Sequence, residues 1–342
     1  MKKIISIALA LLMVAVMLPV MAMADESTAV AKLTIAGKET LHDSLVDAVK
    51  AAINKTDAKI DVLKSSSGDG IVVFFEKGEK LDLTIDFHGH TYDVSGKAVG
   101  SKGYVSQAWH IEKESKLTLM NGTLEATSPH VAMLFQNYSD LTLDNMVLNA
   151  QKTGFDYTMS NNNGSLTVKG NSKIIAADGK CAFDVYYWPD NGYTDGIKVT
   201  FDESFTGEVV GNIEYGTDKS KGSADWADKA ILTIKGNGTF TGNFRTYNLT
   251  TDAAKANITI TGGKFEDREG AANYIPSNME IDEYGNVVNK PGTPIIIYNP
   301  TEDTPKANDQ KNPGTGANDF VGVAAAMAVV SLLGAAAVIR KK

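Results

Sequence analysis

The chain has 342 residues, 43% apolar and 22% charged, with a formal charge of −8. That composition is globular rather than disordered or collagenous, and the acidic balance argues against a broad cationic surface, so no nucleic-acid partner is expected. Cys181 is the only cysteine, which excludes an intrachain disulfide and a four-cysteine zinc site.

The first element in chain order is a signal peptide over 1–24. Lys2 and Lys3 precede an uncharged apolar run from Ile4 to Leu18, Pro19 breaks the helix, and Ala22-Met23-Ala24 places small residues where signal peptidase reads them. Cleavage between Ala24 and Asp25 is expected; a retained short transmembrane anchor is the alternative. Residues 25–59 read as an N-terminal cap. Thr40-Leu41-His42-Asp43 opens a helix running to about Asn54, with Leu41, Leu45, Val49 and Ile53 on one stripe.

Residues 60–289 repeat. Leu83-Thr84-Ile85, Leu117-Thr118-Leu119, Leu141-Thr142-Leu143, Leu166-Thr167-Val168, Leu232-Thr233-Ile234 and Ile258-Thr259-Ile260 share one pattern, with Ile197-Lys198-Val199-Thr200 as a degenerate member. Their starts are 34, 24, 25, 31, 35 and 26 residues apart. Apolar–polar alternation makes each a strand with one buried face. Asn or Gly follows at a near-constant offset (Asn121-Gly122, Asn145, Gly170, Gly236, Gly262-Gly263), and a second apolar position comes next at Leu124, Leu148, Ile174, Phe240 and Phe265. Strand, left-handed turn, strand at a recurring interval of about 25 residues predicts stacked coils, with equivalent side chains above one another. Immunoglobulin-like sandwiches compete, but they do not carry the same turn residue at the same offset. The fold class expected is therefore all-β, a parallel β-helix with a short N-terminal capping helix, and the resemblance given below implies the right-handed form. Residues 273–289 close the last coil, and 290–311, with Pro291, Pro294, Pro300 and Pro305, form a linker.

The end of the chain is tripartite. Asn312-Pro313-Gly314-Thr315-Gly316 is followed by a span at 320–339, uncharged from Val321 to Ile339, and then by Arg340-Lys341-Lys342. Such a helix is about 28 Å long, enough to cross a hydrocarbon core, and its basic tail stays cytoplasmic. Pro313 holds Asn312 extended, which suits a peptide docked in an enzyme groove.

This 312–342 arrangement resembles the LPXTG-like sorting signal of sortase-anchored cell-wall proteins of Gram-positive bacteria, with Asn312 where Leu is usual. The resemblance implies cleavage between Thr315 and Gly316 and transfer of the Thr315 carboxyl to peptidoglycan, with sortase as partner. The stretches LDLTIDFHGHTYDV, LTLDN and ITITGGKF resemble the pectin-lyase-like β-helix superfamily. Ile258–Val288 is similar to the closing rung of right-handed β-helix surface proteins. That likeness implies a fold, since this architecture carries lyases, hydrolases, adhesins and inert stalks alike.

Chemistry is sparse. Arg245 and Arg268 match no lyase pattern; His88-Gly89-His90 reverses a hydrolase motif and reads as a turn; His42, His110 and His130 stand alone. Asp202-Glu203, Asp218, Asp225 and Asp228 suit solvated loops better than calcium, and Cys181 reads as a small buried hydrophobe. No catalytic, cofactor or metal residues are assigned. The binding candidates are aromatic: Tyr186, Tyr187, Trp188 and Tyr193 lie in one long interval and Trp226 in the next, placed either to stack on sugar rings or to pack over the coil. The expectation is a non-catalytic, wall-anchored display protein binding glycan or a host protein. A wall-bound polysaccharide lyase or glycoside hydrolase is the alternative.

Overall fold

The structure is a computed structural model that describes residues 28–291, apart from 102, 153, 190–191, 218–227 and 248. The signal peptide with its Ala24–Asp25 bond, most of the linker, Trp226, the Asn312–Gly316 motif and the 320–339 span lie outside the described residues. Among the described residues, no helix is long and apolar enough to cross a membrane.

The fold is all-β, with two largely parallel sheets. The Leu-Thr-Leu segments form the spine of the larger one. Asp82–Asp86, Lys116–Ala126, Asp140–Asn149, Gly164–Lys169, Ile197–Phe201, Ala230–Ile234 and Ile258–Ile260 pair in parallel, each with its equivalent one interval on. Leu83, Leu117, Leu141, Leu166, Val199, Leu232 and Ile258 occupy one register column, and all are at most 3% exposed. The threonines between these apolar positions form a parallel outward column from Thr84 to Thr259, where a β-branched side chain fits the pleated surface.

Register corrects one sequence alignment. Leu166 pairs with Val199 rather than Ile197, and Val199 with Leu232, so both intervals are 33 residues. The equivalent motif is Val199-Thr200-Phe201, which keeps the apolar–Thr–apolar order.

The turns after most of the Leu-Thr-Leu strands follow the predicted chemistry. Asn121 and Asn145 have φ of 56° and 52°, and Gly170 has φ of 55°. The Asn145 Oδ1 accepts from Asn171 N at 2.9 Å, so the amide of one turn supports the next. Gly236 is needed for space instead: a Cβ there would lie 2.4 Å from the carbonyl oxygens of Asp202 and Phe205. Past the turns, Leu124, Leu148, Ile174, Val209, Phe240 and Phe265 make a second buried column.

Between these strands the chain crosses to a seven-stranded sheet ordered Phe244–Tyr247, Asn212–Thr217, Cys181–Tyr187, Tyr157–Asn161, Met133–Asn137, Gln107–Ile111 and Ile71–Val73. Its inner column is aromatic and apolar, with Trp109 stacked on Phe135 at 5.8 Å and Met159, Phe183 and Ile213 beyond. The corner between the sheets is a buried amide network. Asn137 Nδ2 donates to Asn161 Oδ1 at 3.1 Å, and Asn137 Oδ1 accepts from both the backbone N and the Oγ of Ser139. These bonds satisfy polar groups that could not otherwise be buried.

The N-terminal cap differs from expectation. Lys38–His42 is a strand, paired antiparallel with Ala31–Ile35, so Thr40 and His42 are not helical. The helix is Leu45–Ala52, N-capped by Ser44 Oγ, which accepts from Asp47 N at 3.0 Å. Leu45, Ala48, Val49 and Ala52 are its buried face, continuous with the core of the stack. At the other end the helix Arg268–Ala272 and the hairpin Met279–Ile281/Val287–Asn289 follow the last coil, with Ile281 and Val287 against the core.

Removing Leu143, which is fully buried, should cost about 2–5 kcal/mol as Leu143→Ala. Thr142→Ala, on the outward column, should cost about 1 kcal/mol or less. Urea unfolding of the two variants measures the difference.

Candidate functional site

A cleft of about 830 Å³ lies over the start of the seven-stranded sheet. Five stretches build most of it: Phe74 to Glu76 after the first strand of that sheet, the loop ending at Ser106, the strand ends His110–Glu112 and Gln136–Tyr138, and the insertion carrying Trp188 and Tyr193. Parallel register brings them together, since Val72, His110 and Gln136 occupy one column.

Its walls are aromatic. Tyr138 and Tyr193 stack at 4.4 Å with an interplanar angle of 25°, and Phe74 and Tyr138 lie 6.1 and 5.6 Å from the His110 ring. Lys113 reaches over Phe75 at 4.3 Å and donates to the Gly192 carbonyl at 3.0 Å, tying the insertion to the sheet.

Its floor is polar and buried. His110 is 3% exposed and Glu112 5%, and His110 Nε2 meets Glu112 Oε1 at 3.2 Å. Glu112 Oε2 accepts from Phe75 N at 2.7 Å. A carboxylate only accepts, so Nε2 carries a proton toward it, and Nδ1 accepts in the neutral ring and donates in the cation. That Nδ1 is buried without a hydrogen-bond partner, as is Gln107 Oε1. Burial holds the hydroxyl protons of Tyr138 and Tyr193 well above the ordinary phenol range; the charges of Asp184 and Glu112 add to this at Tyr138, and those of Glu112 and Glu76 at Tyr193.

Beyond the cleft the outward column continues into acids. Ser160 Oγ donates to Asp184 Oδ2 at 2.8 Å and Asn161 N to Asp184 Oδ1 at 2.6 Å; Asp184 then pairs in register with Glu214, and Glu214 with Arg245. Tyr157 donates from its hydroxyl to Glu214 at 2.9 Å. Burial, outweighing these two hydrogen bonds, pushes the Asp184 carboxyl up to about 7, with Glu214 adding to the rise.

The aromatic candidates divide. Trp188 and Tyr193 line the cleft. Tyr186 lies 6.4 Å from Trp188 and 6.0 Å from Tyr247, further along the sheet. Tyr187 is 6% exposed and belongs to the core, because it is the alternate residue of an edge-to-edge buried strand, so its ring is not offered to a ligand. His110 does not stand alone, having Glu112 as partner. Cys181 is a free, buried thiol, its proton held by burial. His88 lies in a turn, half exposed, with Nε2 2.8 Å from Asp61 Oδ1. Asp61, Asp86 and His88 bring ligand atoms within 4.8 Å of one another, but Lys59 Nζ already meets Asp61 at 2.8 Å, which supplies the positive charge a cation would bring.

No family model, curated protein or solved structure matches the chain.

Asp184 gives a pH signature. The folded state keeps this proton to about pH 7, whereas the unfolded carboxyl loses it near 3.8, so stability falls as pH rises between those values. The slope is at most about 1.4 kcal/mol per pH unit. Asp184→Asn should flatten the decline of melting temperature between pH 5 and 7 relative to the parent protein; identical pH profiles would mean that Asp184 is ionised throughout.

Proposed function

We propose that this chain is a non-catalytic cell-surface protein that displays a right-handed parallel β-helix, and that the cleft above its seven-stranded sheet binds glycan. The observation that carries the reading is the Tyr138–Tyr193 stack beside Trp188, set over a buried floor with unpartnered hydrogen-bonding atoms. Flat rings present apolar faces to the C–H side of a sugar, while a few placed polar groups fix its hydroxyls. The β-helix reading is supported by parallel pairing at one interval and by the alternation of strands between two sheets. Right-handedness follows from the general hand of parallel crossover connections.

The same reading takes the chain to be exported through its 1–24 signal and joined to peptidoglycan by sortase at Thr315, with 320–339 halting the precursor in the membrane. Its support is the order of motif, span and basic tail in the sequence.

A second reading, a wall-bound polysaccharide lyase or glycoside hydrolase of the pectin-lyase-like superfamily, draws on one observation. Asp184, whose proton persists to about pH 7, neighbours Glu214 in register, and unequal acids are what glycosidic-bond cleavage uses. Neither acid lines the cleft that carries the rings, which favours binding without turnover.

A glycan array with the 25–315 chain, together with assays for reducing ends and unsaturated products, separates the two. Binding without turnover is expected, and Tyr193→Ala should weaken it about ten-fold, the loss of roughly 1.4 kcal/mol of ring contact. Turnover abolished by Asp184→Asn would install the enzyme reading. For the anchor, Thr315→Ala should move the protein from the wall fraction to the membrane or medium in cell fractionation.

A further inference from the structure

The cleft also carries information about which sugar it takes, and this inference rests on its being a glycan site. Glu76, Glu112 and Asp156 line it, and no Lys or Arg does among the described residues. Three lysines around the cleft are engaged among the described residues: Lys180 Nζ pairs with Asp156 at 2.8 Å, Lys77 Nζ lies 4.0 Å over the Phe74 ring, and Lys113 donates to Gly192 O while lying over the rings of Phe75 and Tyr193. Glu112 is 5% exposed and spends its oxygens on Phe75 N and His110, so its charge stays inside the floor. Glu112 faces both Tyr138 and Tyr193 and Glu76 faces Tyr193, while the Lys113 ammonium lies 5.6 Å from the Tyr193 ring centre.

The hydrogen-bonding inventory points the same way. Among the described residues, the unpartnered buried atoms of the lining are Gln107 Oε1, an acceptor, and His110 Nδ1, an acceptor in the neutral ring. An occupant that satisfies them brings O–H or N–H donors. A ligand carboxylate brings only acceptors, and it would meet the carboxylates of Glu76, Glu112 and Asp156 while the neighbouring ammonium groups are held over rings or by Asp156.

We propose that the cleft selects carboxylate-free sugars, neutral or amino, whose hydroxyl or ammonium groups donate to His110 and Gln107, and that it rejects uronic-acid polymers. Its acids and acceptors act as a filter, while the aromatic wall supplies contact area that any pyranose would use.

The test uses the 25–315 chain and three hexasaccharide probes, a neutral glucan, a fully de-N-acetylated glucosamine oligomer and hexagalacturonate, titrated calorimetrically at low and moderate salt. Binding of the glucan or the glucosamine oligomer at least ten-fold tighter than hexagalacturonate is expected. Preference for the glucosamine oligomer that fades with salt would assign the ammonium group as the donor, and a salt-independent preference for the glucan would assign hydroxyls. Hexagalacturonate binding as tightly as the others would overturn the selectivity and leave glycan binding standing. Failure of all three probes, and of the array, would remove both. Because His110→Ala removes a buried ring, the second variant is Glu76→Lys at an exposed rim position. It should fold normally and shift the ratio of hexagalacturonate to neutral-probe affinity several-fold toward hexagalacturonate; an unchanged ratio would count against the filter.

Discussion

Side chains from successive intervals of the sequence must sit above one another, and that constraint organises everything else here. Leu, Ile and Val recur at the same register position from Leu83 to Ile258, and each column is dry because its members touch the equivalents before and after. A fully buried aliphatic side chain contributes about 1.5–3 kcal/mol, and the two columns of the larger sheet repeat that contribution strand after strand. The outward threonines and the left-handed Asn turns are what remains once the inward positions are assigned.

The cleft is a consequence of the same stacking. Its residues are far apart in the chain, from Phe74 to Tyr193, yet they converge because a residue just past one strand end lies beside its counterpart one interval later. Tyr138 follows Asn137, whose buried amide holds the corner, so the ring that faces Tyr193 is positioned by a network it does not itself join. The long interval between Gly164–Lys169 and Ile197–Phe201 supplies Trp188 and Tyr193, which close the cleft from the side.

Half of this architecture is legible in the residues alone. The larger sheet is, because one face is wet and alternation survives. The seven-stranded sheet is not: Gln107–Ile111, Met133–Asn137 and Tyr157–Asn161 are buried nearly throughout, so QAWHI, MLFQN and YTMSN show no period of two. The helix start was legible only in kind. Thr40 and Asp43 look like caps, but pairing with Ala31–Ile35 claims Lys38–His42, and Ser44 takes the cap. Trp188 and Tyr193 were visible as an aromatic cluster, whereas His110, Glu112 and Tyr138 acquire meaning only through register, which no local motif encodes. Tyr187 belongs to the same aromatic run, but strand geometry turns it inward.

Strand length is uneven along the stack. It is 11 and 10 residues at Lys116–Ala126 and Asp140–Asn149, and only 3 and 2 at Ile258–Ile260 and Lys264–Phe265. Shorter strands contribute fewer ladder hydrogen bonds and less buried surface, so local stability is expected to vary along the sheet. Amide protons near the carboxyl-terminal layers should exchange with solvent soonest, and fraying should advance from there toward the middle. The ring-walled cleft draws its lining from residues 74–193, ahead of those short carboxyl-terminal strands, so loosening that begins there leaves its walls in place.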